Sequence, residues 1–188
     1  MPTARRAFLL ACLVMSLWTP VGVRAQAQPV SLPAAGTLEV GFSPDGGAEV
    51  LVLKVIDSAQ IEIKVLAYAF SSPTVTAALK RAVARGVHVT LLADEKRNAE
   101  SKASIKALGE LLAAGVDVRT VDAFPLHHDK VLIVDRRTVE LGSFNFVISA
   151  ARRNSENVLV NWDNPALAGM YVAHFERNFA RSRRYTPH

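Results

Sequence analysis

Cysteine is nearly absent from this chain of 188 residues. Cys12 is the single one, and it lies in an N-terminal stretch set apart from the rest. A domain built from the remaining residues can form no disulfide and no cysteine-based metal site, so its stability must come from its core or from self-association. A long hydrophobic run is missing too. The apolar stretch Ala7–Trp18 stops short of Pro20, whereas a helix needs about 20 apolar residues to span a bilayer. No low-complexity segment and no internal repeat occurs, which argues against disorder and solenoid architectures. Half of the residues are hydrophobic, enough for one globular core.

A strong charge of one sign is the third absence. The formal net charge is +5, but Arg5, Arg6 and Arg24 belong to the N-terminal stretch and none of the 17 acids does. Without residues 1–25 there are 19 basic residues against 17 acids, a net charge of +2. What remains basic is local: Arg177, Arg181, Arg183 and Arg184 cluster near the C-terminus. Such a cluster is first of all a solvated helix end, and only secondarily an anchor for phosphates.

The N-terminal stretch has the order of a signal peptide: Arg5-Arg6, the apolar run, Pro20, then Ala25-Gln26-Ala27 as small cleavage-site residues. Residues 1–25 are therefore expected to be removed, with cleavage after 25 or after 27, and the mature protein to be periplasmic or secreted. The segment around Arg5-Arg6 loosely resembles a twin-arginine signal, but little precedes it and the ordinary export route is favoured. Residues 26–37, rich in Gln, Pro, Ala and Gly, are expected to be a linker, and 38–188 the folded domain.

Within that domain helical and strand patterns alternate. Strands are expected at Leu38–Phe42, Ile61–Phe70, Val87–Ala93, Val116–Val121, Lys130–Val134, Val139–Leu141 and Asn157–Trp162. Helices are expected at Ala48–Ser58, from Ser72-Pro73 to Gly86, at Ser101–Ala114 with Ile105, Leu108, Leu111 and Leu112 inward, and from Pro165 towards Ser182. Near-continuous apolar strands between helices predict an α/β fold with a mixed, largely parallel sheet sandwiched between helices.

The chemistry concentrates in residues 124–146. In a strand, alternate side chains share a face, so His128 and Lys130 are expected to point one way and Asp129 and Asp135 the other. Ser143 and Asn145 follow the next strand. An imidazole, an ammonium, a hydroxyl and an amide converging from neighbouring strand ends suit a phosphodiester: the cation and donors hold its oxygens while the imidazole attacks or moves protons. Taken singly, each residue is more simply a surface or turn residue. Adjacent His127, His128 and Asp129 alternate faces and are poorly placed to chelate one metal ion.

The full pattern His128-x-Lys130-x4-Asp135-x6-Gly142-Ser143-x-Asn145 resembles the signature of the phospholipase D superfamily at every position. The resemblance runs through Val40–Tyr185 and is strongest to the small single-motif, Nuc-like bacterial endonucleases, in Val50–Leu53, Ile56–Ala59, Ala93–Lys96, Gly142–Phe146 and Asn154–Asn157. It implies the phospholipase D/nuclease fold and a phosphodiesterase without cofactor or metal. His128 is implied as the nucleophile forming a phosphohistidine, Lys130 and Asn145 as phosphate ligands with Ser143 nearby, and Glu156 as the carboxylate that orients the His128 ring. Asp135, on the opposite face by parity, is expected to brace the backbone or pair with a basic residue.

Family members generally carry two motifs, and this chain carries one. An alkoxide leaves badly without an acid, so a two-fold homodimer with a composite active site is expected, one His128 attacking and its mate protonating. The expected substrate is DNA, with RNA as a second candidate. The alternatives are a lipid phosphodiester, for which no aromatic or amphipathic lid is evident, and a catalytically silent nucleic-acid-binding module, against which the intact motif argues. No stable membrane association is expected once the leader is gone. Asp94, Glu95 and Arg97 are read as solvated loop charges. Phe124, Phe144 and Phe146 are candidates for base stacking, with packing the commoner explanation.

Overall fold

Local chemistry sets the ends of the elements in the computed structural model, which describes residues 28–45 and 47–187. The expected leader and its cleavage positions lie outside these residues. In chain order the elements are β1 (Thr37–Ser43), α1 (Ala48–Ser58), β2 (Glu62–Ala67), α2 (Pro73–Ala84), β3 (His88–Asp94), α3 (Glu95–Ala99), α4 (Lys102–Ala113), β4 (Asp117–Val121), β5 (Lys130–Val134), β6 (Thr138–Gly142), α5 (Ile148–Arg152), β7 (Glu156–Trp162), α6 (Pro165–Phe179) and β8 (Ser182–Arg184). Residues 28–35 carry no helix or strand.

Helix α2 starts as its sequence demands. The Ser72 hydroxyl accepts the Val75 N–H, Pro73 stands at the first turn, and Gly86 takes the left-handed φ of 89° just past the end. Asn164 caps α6 in the same way through the Leu167 N–H. Helix α1 has no side-chain cap; Gly47, at φ 85°, precedes it. Strand β2 is shorter than the expected Ile61–Phe70. Ile61 is largely exposed, and beyond Ala67 the backbone bonds outside the ladder, Phe70 N–H to the Asn98 side chain and Ser71 N–H to Phe146. In α4 the inward stripe is Ser104, Ala107, Leu108 and Leu111, while Leu112 is exposed and Ile105 half-buried.

The strands form one sheet in the order β1-β7-β6-β5-β2-β3-β4-β8. The α/β reading holds, but the sheet is not largely parallel. Only β2–β3 and β3–β4 run parallel, and the other five neighbouring pairs are antiparallel. Parallel neighbours need a crossover, usually helical; only α2 and the α3–α4 pair supply one between adjacent strands. The apolar strands reflect burial on both faces. One face packs on α1, α2 and α4, through Val52, Val55, Ile56, Leu79 and Leu111. The other meets α6, where Leu66, Leu92, Ile133 and Val139 pack on Val172 and Phe175. Each such fully buried side chain contributes about 1.5–3 kcal/mol. Among the described residues no helix is long and apolar enough to cross a membrane.

Candidate active site

Antiparallel pairing of β5 between β2 and β6 brings the start of one strand beside the ends of two others. Lys130 pairs with Ala67, Gly142 with Val158, and Glu156, the first residue of β7, with Ser43. The motif residues therefore gather along one edge of the sheet, where β2 and β3 also end. Gly142 is sterically required there. A Cβ at this position would lie 2.1 Å from the Asn157 carbonyl oxygen, so any side chain would push β6 off β7.

His128 precedes β5, in the loop 122–129, so it does not share a strand with Lys130 as expected. The two still meet. The His128 ring is exposed and stacks at a tilt on Tyr68, with centroids 4.5 Å apart; the Lys130 Nζ lies 5.1 Å from the same ring. Lys130 is buried and donates one hydrogen bond, 2.8 Å long, to the His128 carbonyl. Burial pulls its pKa below the ordinary lysine value, opposed by the charges of Asp129 and Glu156.

At the adjoining strand ends, the Ser143 hydroxyl donates to the Glu156 carboxylate at 2.6 Å and accepts the Asn157 N–H at 3.1 Å. Asn154 donates to the other Glu156 oxygen at 3.0 Å. The Glu156 hydrogen bond expected to the His128 ring is not formed here; Ser143 and Asn154 take the carboxylate instead. Asn145 is half-buried, and its side-chain oxygen has no hydrogen-bond partner.

Asp135 stands apart. It follows β5 in the turn to β6 at φ 50°, a left-handed conformation that Asp tolerates. Its carboxylate accepts the N–H groups of Gln60, Ile61 and Glu62 at 2.8–2.9 Å. It thus ties the β5–β6 turn to the start of β2, at the edge opposite His128.

Several residues around the site are not expected there from the sequence. Tyr68 is the platform for His128 and Lys130. Asp94 is buried, contrary to its reading as a loop charge: one oxygen caps α3 through Arg97 N–H and the other accepts His127 N–H at 2.8 Å. Asn98 spans Phe70, Tyr68 and Asp94 with three hydrogen bonds. Asp129 accepts a 2.9 Å bond from His174 of α6, and that bond, ahead of the opposing cost of burial, holds its carboxyl below the usual range. Arg177 contacts Nδ1 of the same ring. Burial lowers the pKa of His127, which keeps it neutral. The contacts of Tyr68 with His128, of Asp94 with His127, of Asn98 with Tyr68 and Phe70, and of Asp129 with His174 join segments distant in sequence, so no local pattern announces them.

Phe144 and Phe146 are core residues, whereas Phe124 is exposed. Among the described residues, no three His, Asp or Glu side chains converge in a way that could hold a metal ion. The arrangement offers an exposed imidazole, an adjacent ammonium with donors to spare, and a hydroxyl–carboxylate pair.

Residues 52–181 match the family model described as cardiolipin synthase, PLD-like domain. Nuc, a phospholipase D family member from Salmonella typhimurium, is similar in structure at 44% identity and a TM-score of 0.78, covering 79% of this chain and 97% of that one. A phospholipase D of Rickettsia conorii is 40% identical over 132 residues, 70% of this chain and 64% of that protein, so the chain spans somewhat under two thirds of that relative. A mitochondrial cardiolipin hydrolase of Xenopus tropicalis is 32% identical over 126 residues, 67% of this chain and 58% of that protein. The chain belongs to the phospholipase D superfamily of phosphodiesterases.

Proposed function

We propose that this chain is an exported, metal-independent nuclease that cleaves DNA, with RNA as a second candidate, through a covalent phosphohistidine at His128. The observation that carries this is the exposed His128 imidazole held on Tyr68 beside the buried Lys130 ammonium. In the first step an imidazole nitrogen attacks phosphorus; the N–P bond forms as the P–O bond to the leaving nucleoside breaks. Lys130 and the Asn145 amide hold the non-bridging oxygens, with Ser143 beside them. Water then attacks phosphorus, the N–P bond breaks, and a phosphomonoester leaves. Lys130 and an imidazolium supply the positive charge, so the scheme needs no cation.

The leaving oxygen takes its proton from the His128 of a second copy across a two-fold axis, and that imidazole later accepts the proton of the attacking water. The single motif supports this. So does the face of β1 on the α6 side, where Leu38, Val40 and Phe42 are 56–63% exposed and Phe42 pairs with Asn157 beside Ser143. Large apolar residues exposed on an edge strand are a docking surface waiting for a partner.

The test is cleavage of plasmid DNA, RNA and phosphatidylcholine vesicles by purified protein in excess EDTA. DNA cleavage abolished by His128→Ala is the expected result; loss of activity in EDTA would overturn the metal-free scheme. Mixing His128→Ala with wild-type subunits should give heterodimers of strongly reduced activity, and normal activity there would sink the shared site. The names of the relatives from Rickettsia and Xenopus favour a second reading, a lipid phosphodiesterase. Lipid turnover with DNA left intact would promote it.

A further inference from the structure

Beside His128 a shallow groove of about 290 Å³ runs between the loop 122–129 and the C-terminal half of α6, with Phe124 and Leu126 on one lip and His174 and Arg177 on the other. We propose that this groove is a subsite for the nucleotide next to the scissile phosphate, with Phe124 stacking on its base and Arg177 and Arg181 holding its phosphate. The proposal rests on the nuclease reading and adds to it a preference for single strands, because a base must leave its own stack to lie on Phe124.

The ion pairs sort the C-terminal basic cluster. Arg183 is neutralised by Glu95 and Asp122, each at 2.6 Å. Arg177 and Arg181 form no ion pair with a carboxylate among the described residues. Arg177 reaches the His174 ring, and the Arg181 guanidinium lies 5.6 Å from the centre of the Phe124 ring. Arg177 thus lines the groove beside His128 and Arg181 stands over Phe124 on its lip, both without a carboxylate partner among the described residues. Of the three phenylalanines near the motif, only Phe124 is available to a ligand, at 36% exposure. A partly exposed ring with a cation over it is a platform for a nucleobase, and the cations serve the backbone. The loop that presents Phe124 is anchored at its far end, where Asp94 holds His127 N–H and Asp129 bonds both His174 and the Tyr68 N–H.

Phe124→Ala and Arg181→Gln are measured against a short single-stranded oligodeoxynucleotide, its duplex and bis(para-nitrophenyl) phosphate, which has no neighbouring nucleotide. Phe124→Ala should lose about 5- to 150-fold in kcat/KM on the single strand, with the nitrophenyl diester changed by less than about twofold, and Phe124→Tyr should recover most of it. Arg181→Gln should flatten the slope of log KM against log salt by about 0.7 for the single strand. Parallel losses on the oligonucleotide and the nitrophenyl diester, or unchanged cleavage of the single strand, would overturn the subsite. Wild-type protein that hydrolyses the nitrophenyl diester or vesicle phosphatidylcholine but not the oligonucleotide would instead remove the nuclease reading itself, and the subsite with it.

Discussion

Two acidic residues show how differently a carboxylate can be used within one domain. Asp135 is spent on three backbone N–H groups at the start of β2, and its place in the motif is a matter of folding, since it stands at the far end of β5 from Lys130. Asp135→Ala should cost about 2 kcal/mol in urea unfolding, and Asp135→Asn less, because the amide keeps an acceptor and tolerates the positive φ. Glu140 is the opposite case. It is fully buried in β6, neither carboxyl oxygen has a hydrogen-bond partner, and burial pushes its pKa from 4.5 up to about 8. The unfolded chain releases this proton near pH 4.5 while the folded protein keeps it to about pH 8. Stability should therefore fall as pH rises between those values, by up to about 1.4 kcal/mol per pH unit, and level off above. Glu140→Gln should abolish that slope in denaturant titrations across pH 5–8. A wild-type slope surviving in the variant would show that another group is responsible.

Among the elements, α6 acts on the site from outside the motif. His174 reaches Asp129, the residue between His128 and Lys130, and so fixes the segment that presents both. His174→Ala should lower kcat about tenfold with KM within about twofold, and His174→Gln, which keeps a donor towards Asp129, should recover part of it; a change in KM alone would argue against a positioning role. The elements legible in the sequence were those with long periodic signals and caps, such as α2 with Ser72, Pro73 and Gly86. The short α3, α5 and β8 have too few residues to show a period. Burial on both faces made the strands look parallel, although β5 and β6 are joined by the short turn 135–137 and must run antiparallel, and β7 lies antiparallel to β6 even with α5 between them. Covering helices, whatever the strand direction, make a strand apolar throughout.

For the whole molecule, the proposed composite site makes self-association the property to test. Val40→Glu together with Phe42→Glu places two charges on the exposed face of β1, where neither side chain is needed for the core. Sedimentation should show a shift from dimer to monomer, with activity falling in proportion to the dimer lost and melting temperature changed by only a few degrees at high protein concentration. An active monomer would remove the composite site. Ionic strength separates the other surface: the groove at Phe124 and Arg181 should matter at low salt and fade as salt rises, because counterions compete for the same phosphates.

The spacing from His128 to Asn145 already carried the family and the pairing of the His128 imidazole with the Lys130 ammonium, because motif residues near in sequence are held at strand starts and ends by local rules. It also carried the hydrophobic alternation that places a sheet between helices. Only the tertiary structure decided which strands run parallel, that Tyr68 is the platform for His128 and Lys130, that Glu156 binds Ser143 and Asn154, and that Arg177 lines the groove beside His128 while Arg183 is neutralised. Apart from the Glu156 contacts, these are pairings between segments tens of residues apart. Their free energy depends on distance and burial after folding, and neither quantity is written in the local order of residues.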